Sequence, residues 1–223
     1  VLEPAGRRGN VARNRGQGRG PNASLGTKKV LFGAPSEDWP RPPAFVAGGL
    51  GMSRVKEDKR EGSVGSTIAA NSFTFEWAPE FRFLQSQYQF IQSTGDANML
   101  VMFLAHFPHH PQALMELSRV YAGLGQADKS ADLGRRALYV RECASMEAFK
   151  PSGALASRLD PGTPENEVYF EVLHRHLQLC SMQGCHGVAM EVCRYIVSLC
   201  PADTAFMLLL VLSANLFADA VRD

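Results

Sequence analysis

Residues 111–140, PQALMELSRVYAGLGQADKSADLGRRALYV, decide the fold, because they contain two amphipathic stretches on either side of a short glycine-containing turn. In the first stretch Leu114, Leu117 and Tyr121 recur at spacings of three and four, which places them on one face of a helix. Gly125 follows at the position where a left-handed residue commonly ends a helix. The segment therefore predicts two short helices that pack against each other.

A second copy of this pattern lies further along the chain. When Gly125 is aligned with Gly184, 59 residues later, apolar and small positions coincide in both helices. The aligned pairs are Leu114 with Leu173, Leu117 with His176, Tyr121 with Cys180, Ser130 with Ala189, and Ala137 with Ile196. The pattern resembles a degenerate tetratricopeptide repeat of about 34 residues, whose helix pairs bury their faces against neighbouring pairs. An insertion at roughly 149–163, together with a longer second helix, accounts for the wider spacing.

Helices are predicted from the region before this pattern to the end of the chain. Their starts and ends are marked by Pro79, Asp96, Thr163, Gly184 and Pro201. Residues 203–221 are predicted to form the last helix. Because no segment alternates convincingly with period two, no sheet is expected. The predicted fold class is all-α, a tetratricopeptide-like helical-repeat solenoid.

Three regions of the chain differ in composition. Residues 1–27 are rich in Gly and Arg and lack aromatic residues, so they are predicted to be a disordered arm. Residues 28–72 hold Trp39 among prolines and glycines, which predicts an extended, partly ordered segment that packs against something, followed by a mobile loop. Residues 73–223 are the tetratricopeptide-like helical domain. Because a helix is still running at Asp223, this domain is expected to be truncated at its C-terminus.

The formal net charge of +1 is unevenly distributed along the chain. Residues 1–30 carry seven basic residues against Glu3 alone, a charge of +6, which leaves −5 for the rest. Arginines in a Gly-rich arm can contact RNA phosphates, although a solvated tail is the alternative. The candidate RNA or ribosome contacts are Arg7, Arg8, Arg13, Arg15 and Arg19. A weaker candidate is a helix face formed by Arg135, Arg136 and Arg141.

No catalytic, cofactor or metal site is expected. The five cysteines are odd in number and no signal peptide is visible, which favours a reducing compartment. Cys180, Cys185 and His174 come closest to metal-ligand spacing, but the pairs that would close a tetrahedron are missing. Cys185 beside His186 at a helix start would favour a thiolate, yet no third group orients the pair. No apolar run approaches the ~20 residues of a membrane span.

The segment HFPHHP, residues 106–111, contains three of the six histidines and looks like a metal cluster. Pro108 falls where one repeat unit ends, and Pro111 opens the next helix, where its missing N–H costs nothing. His110 precedes that helix at a capping position. His106 lies at the end of the preceding helix, where a partly positive imidazole suits the helix dipole. The segment is therefore predicted to be a joint between two helical units.

Six strings, taken in order, resemble one protein family. They are SEDWPRPPAFVAGGLGM (36–52), FTFEWAPEFRFLQ (73–85), DLGRRALYVRECA (132–144), RLDPGTPENEVYF (158–170), GCHGVAMEVC (184–193) and LCPADTAFMLLL (199–210). Together they are similar to the ribosome quality control complex subunit 1 family, also called the transcription factor 25 family. The resemblance covers roughly residues 36–214.

The resemblance implies a non-enzymatic scaffold with a helical solenoid body. It implies association with large ribosomal subunits that carry stalled nascent chains, and assistance in the ubiquitin-dependent degradation of those chains. The implied partners are the large ribosomal subunit, a listerin-type ubiquitin ligase and an AAA unfoldase. The implied location is the cytoplasm, on ribosomes, and also the nucleus, with no membrane association.

An alternative function comes from an older view of the same family. In that view the protein is a nuclear transcriptional regulator, a repressor, that acts through protein or nucleic-acid contacts. The chain also departs from the family pattern in two ways. Only a short Arg-Gly arm represents the family's longer lysine-rich N-terminal region, and the large C-terminal half of the family's body is absent.

Overall fold

A computed structural model describes residues 31–32, 35–40, 49–55, 71–150 and 157–201 of the chain. Several sequence predictions lie outside these ranges. They are the disordered arm at 1–27, the middle of the predicted mobile loop at 56–70, part of the insertion at 151–156, and the last helix at 203–221.

The described residues form six helices and three short strands. The strands are β1 (Leu50–Arg54), β2 (Ser72–Trp77) and β3 (Arg158–Leu159). The helices are α1 (Pro79–Thr94), α2 (Ala97–His106), α3 (Pro111–Gly123), α4 (Ala127–Ala144), α5 (Pro164–Met182) and α6 (His186–Leu199). Within these ranges, no helix combines the length and apolar character that crossing a bilayer requires.

The helix boundaries follow from local chemistry. Pro79, Pro111 and Pro164 each occupy the first turn of a helix, as predicted. Asp96 caps α2, because its carboxylate accepts the backbone N–H of Asn98 at 2.8 Å. Thr163 occupies the N-cap position of α5 but makes no side-chain capping bond. Its hydroxyl instead donates to a nearby backbone carbonyl in the preceding turn.

Two helix pairs, α3–α4 and α5–α6, turn in the same way. Gly125 and Gly184 both have a φ of 73°, in the left-handed region that favours glycine. Each glycine sits in a turn where two backbone N–H groups satisfy carbonyls at the end of the preceding helix. The equivalent bonds are Gly125 N to Ala122 O and Gln126 N to Tyr121 O in the first turn, and Gly184 N to Ser181 O and Cys185 N to Cys180 O in the second.

The helices from α3 to α6 pack in chain order, α3 on α4, α4 on α5 and α5 on α6. In four of the five pairs of aligned positions both residues are buried, and Tyr121 is partly buried. Ser118 of α3 and Ser130 of α4 exchange hydrogen bonds in the interior. Arg175 of α5 donates to both serine hydroxyls, which joins three helices through one buried polar group.

The prediction of an all-α fold without a sheet is wrong. Strands β1, β2 and β3 form a three-stranded mixed sheet in that order, with β1 antiparallel and β3 parallel to β2. Phe73 and Phe75 of β2 are both buried, and the residues between and beside them are less so, which is the period-two pattern of a half-buried strand. Mainly helical with a small mixed sheet is therefore the correct description of the fold.

The sheet is held to the helices by two buried polar side chains. Asn166 of α5 accepts the backbone N–H of Phe75 at 2.8 Å and donates to Asp160 O at 2.8 Å. Arg141 of α4 is fully buried, with its guanidinium 4.1 Å from the centre of the Phe75 ring. It also donates to the backbone carbonyl of Glu165. The first turn of α5 and strand β2 are thereby fixed against α4.

The joint formed by residues 106–111 is confirmed as a helix boundary. His110 is almost completely buried, and its Nδ1 accepts the backbone N–H of Ala113 at 3.2 Å, which caps α3. Its ring stacks on Phe81 at 5.1 Å between centroids and contacts Tyr88 and Phe103 at 4.9 Å and 5.3 Å. Burial lowers the pKa of His110 to about 3, with nearby Arg141 acting in the same direction.

We expect Gly125→Ala and Gly184→Ala each to lower the free energy of unfolding by about 1 kcal/mol, because both glycines adopt a left-handed backbone. Gly123→Ala is the matched control. It is the last residue of α3, has open space where a Cβ would project, and should cost nothing. Urea denaturation followed by circular dichroism measures the three differences. Equal costs at Gly123 and Gly125 would contradict the assignment of the turn.

We expect acid to destabilise the fold as pH falls below the ordinary histidine pKa of 6.5 towards about 3, because His110 must stay neutral when buried. His110 alone should account for about 3 kcal/mol of this loss near pH 4. His110→Asn keeps a good capping residue, loses the ring packing, and should flatten this dependence. His176, whose pKa burial lowers to about 4, supplies the slope that remains. An unchanged slope in His110→Asn would contradict the role of His110.

Candidate interaction site

The structure separates the arginines that the sequence predicts on one face. Arg135 is exposed, whereas Arg136 is half-buried and donates to Pro108 O at 2.6 Å. Arg141 is fully buried beneath the sheet. The prediction of one exposed arginine face on α4 is therefore wrong. The predicted contacts Arg7, Arg8, Arg13, Arg15 and Arg19 lie outside the described residues.

The cysteines that the sequence singles out, and the histidines paired with them, lie on α5 and at the start of α6, in the part of the chain that the structure describes. No group of three potential ligands comes together there. Cys180 Sγ lies 3.5 Å from His176 Nε2, a pair that the sequence pattern does not single out. Burial raises the pKa of the Cys180 thiol and lowers the pKa of His176 to about 4. Both shifts favour the neutral forms, which opposes an activated thiolate.

An extended segment crosses the outer side of α4. We call the described residues 31–32 and 35–40 the N-terminal strap. At one end of the strap the indole N–H of Trp39 donates to Asp132 Oδ1 at 2.9 Å. The Trp39 ring lies 5.7 Å from the ring of Tyr139, seven residues further along α4. Trp39, the residue that suggested a packing segment, therefore contacts α4 through both a hydrogen bond and its ring.

The other end of the strap is held by three helices. The backbone N–H of Leu31 donates to Glu142 Oε2 of α4 at 3.2 Å. The Phe32 ring makes an edge contact with Tyr195 of α6 at 5.0 Å and a tilted contact with His176 of α5 at 5.8 Å. Phe32 therefore enters a space where α4, α5 and α6 meet.

The two anchor points fit the geometry of an extended chain. Asp132, Tyr139 and Glu142 are spaced by seven and three residues along α4, so they lie close to one face of that helix. The distance from Asp132 to Glu142 along the axis is about 15 Å at 1.5 Å per residue. The strap runs antiparallel to α4, and its extended length would exceed this distance. A turn closed by the hydrogen bond from Trp39 N to Ser36 O shortens the strap. We call the surface beneath it, formed by Asp132, Tyr139, Glu142, His176 and Tyr195, the strap groove.

At the Leu31 end of the groove, burial favours the neutral forms of Glu142, His176 and Tyr195. Burial raises the pKa of Glu142 to about 7, although the N–H groups of Leu31 and Phe32 act in the opposite direction. The hydroxyls of Tyr169 and Tyr195 lie 2.8 Å apart, and burial raises the pKa of both. The groove therefore offers hydrogen-bonding groups and aromatic rings with little fixed charge at this end.

A separate apolar feature lies on α1. Phe83 and Phe90 are 63% and 66% exposed and are seven residues apart, which places them on one face of the helix. Met102 of α2 is 65% exposed. Contiguous apolar patches at a surface often mark contacts between proteins. This surface is a second candidate for interaction.

We expect Glu142→Gln to stabilise the fold above pH 7 by on the order of 2 kcal/mol, because the buried carboxylate disfavours its charged form. A raised pKa means that the folded state binds more protons, so the wild type loses stability as pH rises from the ordinary 4.5 to about 7. Gln keeps an acceptor for Leu31 N–H and removes the titration. Urea denaturation at pH 5 and pH 8 measures the effect, with the exposed Glu37→Gln as control. A larger stability difference between the two variants at pH 5 than at pH 8 would contradict the assignment.

The chain is similar to several known proteins. A family model described as "Transcriptional repressor TCF25" matches residues 73–217, which includes all the described helices. The human "Ribosome quality control complex subunit TCF25" is 29% identical over 178 residues, which cover 80% of this chain and 24% of the human protein. The "Ribosome quality control complex subunit 1" of Schizosaccharomyces pombe is 26% identical over 180 residues, 81% of this chain and 26% of that protein.

A third relative has a different name. The "Probable transcription factor claV" of Ampulloclitocybe clavipes is 28% identical over 129 residues, which cover 58% of this chain and 16% of that protein. The search of solved structures found no match. The chain thus spans about a quarter of the human and fission-yeast relatives. Since the family model matches most of its length, this chain belongs to the Tcf25 family.

Proposed function

We propose that this chain is part of a non-enzymatic scaffold of the ribosome quality control complex, and that it assists ubiquitin-dependent degradation of stalled nascent chains. The observation that carries the proposal is the similarity to relatives named as subunits of that complex. The family match over residues 73–217 supports it. The chain covers only 24% of the human relative, so the activity of the whole protein is itself part of the proposal.

The described surface is consistent with a binding role. Its prominent features are a groove that holds an extended segment and a helix face with Phe83 and Phe90 exposed. Cys180 and His176, which lie 3.5 Å apart, both favour their neutral forms. A groove that holds an extended segment and exposed aromatic side chains are features of contacts between proteins.

We further propose that α3–α4 and α5–α6 are degenerate tetratricopeptide-like units of a solenoid. The support is the matching pair of turns at Gly125 and Gly184, with equivalent backbone bonds and burial at the aligned positions. In a solenoid each unit buries its faces against its neighbours, which agrees with the sequential packing of the helices. Such a body offers an extended surface for partners.

The proposed partners are the large ribosomal subunit, a listerin-type ubiquitin ligase and an AAA unfoldase. The proposed location is the cytoplasm, on ribosomes. The basic arm at residues 1–27 is the proposed RNA contact, because its arginines could neutralise phosphates without a folded surface. No cofactor is proposed.

Sedimentation tests the proposed function. The tagged protein should comigrate with large ribosomal subunits on sucrose gradients, and the comigrating fraction should increase when elongation is stalled. Comigration should persist after RNA between ribosomes is digested, because the contact is with the subunit. A protein that stays at the top of the gradient under both conditions would contradict the proposal.

The arm requires a separate measurement. We expect replacement of Arg7, Arg8, Arg13, Arg15 and Arg19 by Gln to weaken binding to purified large subunits and to make it less dependent on salt. If all five contact phosphates, the slope of log K against log salt should become shallower by about 4. Arg135→Gln, an exposed arginine of α4, is the control. Equal slopes for the arm variant and this control would remove the arm from the proposal and leave the scaffold role intact.

The second candidate function is a nuclear transcriptional repressor. The description of the family model and the name of the fungal relative favour it. The two functions make opposite predictions in the sedimentation experiment. A protein that is retained in nuclei and never comigrates with large subunits would support the second.

A further inference from the structure

We propose that the strap groove is a binding site for an extended peptide with two aromatic anchors about seven residues apart, and that the chain's own strap occupies it as a displaceable ligand. This inference concerns the described residues alone and does not depend on the ribosomal role.

The strap is attached by a few side-chain anchors. Each of its described residues is exposed or only half-buried, and the side chain of Leu31 is 56% exposed. By contrast, Leu50 in strand β1 is 3% exposed and belongs to the core. Apolar area removed from water is the main source of attachment, so the strap is held less firmly than the sheet. Segments with little buried area open locally without unfolding the domain.

The contacts of the strap are those by which proteins recognise extended peptides. Phe32 enters an aromatic space between Tyr195 and His176. Trp39 packs near Tyr139 at the other end. Tryptophan and phenylalanine anchors in such spaces contribute most of the affinity of many interfaces. A peptide from another protein with the same two anchors would meet the same rings.

The groove also supplies acceptors at both of its ends. Glu142 accepts a backbone N–H beside the first anchor, and Asp132 accepts the indole N–H of the second. Backbone donors are common to all peptides, whereas an indole donor is specific to tryptophan. The fitting partner is therefore an extended segment with an aromatic residue followed, about seven positions later, by Trp.

Attachment in the same chain explains why the groove is occupied in this structure. A tethered ligand has a high effective concentration, so a weak site is filled by its own strap. An incoming peptide must compete with the strap. Its apparent affinity is the intrinsic affinity multiplied by the fraction of molecules in which the groove is open. Loss of the strap anchors should therefore increase the affinity for a peptide in trans.

A labelled synthetic peptide of residues 29–41 tests the proposal by fluorescence anisotropy. The full chain with Phe32→Ala and Trp39→Ala should bind this peptide at least about tenfold more tightly than the wild type does. Glu37→Ala, an exposed strap residue, is the matched control and should behave like the wild type. The same peptide with alanine at both anchor positions should not bind. Equal binding to the wild type and to the folded double variant, or no binding to either, would overturn the proposal.

Amide hydrogen exchange in the wild type provides a test that needs no variant. If the strap opens locally, the amides of Leu31 and Phe32 should be protected at least about 100-fold less than the amides at the centre of α4. Equal protection at both places would show that the strap opens only when the domain unfolds. That result would overturn the proposal even if the double variant failed to fold.

Discussion

The burial of Arg141 is the constraint on which the rest of the structure depends. A guanidinium removed from water needs partners, and its Nε and Nη1 have no hydrogen-bonding partner in the described structure. The Phe75 ring and the carbonyl of Glu165 partly offset the lost hydration of the guanidinium. Burial lowers the pKa of Arg141 to about 9. Strand β2, helix α4 and the start of α5 must therefore meet at one point. This junction holds the sheet and the first turn of α5 against α4, and Glu142, which binds Leu31, is the next residue along α4.

Most of the helical fold can be predicted from the sequence, because its signals are local. Proline starts, the cap at Asp96 and the turns at Gly125 and Gly184 each depend on a few neighbouring residues. The sheet is harder to predict, because its strands are short and pair with distant segments. A period-two signal is nevertheless present in Phe73, Phe75 and Trp77, and it is enough to indicate β2.

The candidate site is predictable only in part. Trp39 among prolines indicates a segment that packs, and it does. The charge of Arg141 suggests a surface residue, although it continues the apolar stripe of Ala137 and Ala144 at helical spacing. The local sequence does not predict the role of Glu142, which is one residue further along α4. Its partners are backbone N–H groups from a segment 111 residues earlier in the chain. Long-range partners of this kind are fixed by the assembled fold.

The parallel pairing of β2 with β3 has a consequence for the order of folding. Ser72 pairs with Arg158, so this short ladder closes a loop that contains α1, α2, α3 and α4. Contacts within each helix pair are local and form rapidly, whereas closing so long a loop is entropically costly and slow. Contact order therefore places the helix pairs early and the strand pairing late. Phe75, which covers the Arg141 guanidinium, belongs to β2, so on this order the charge stays hydrated on that side until the strand docks.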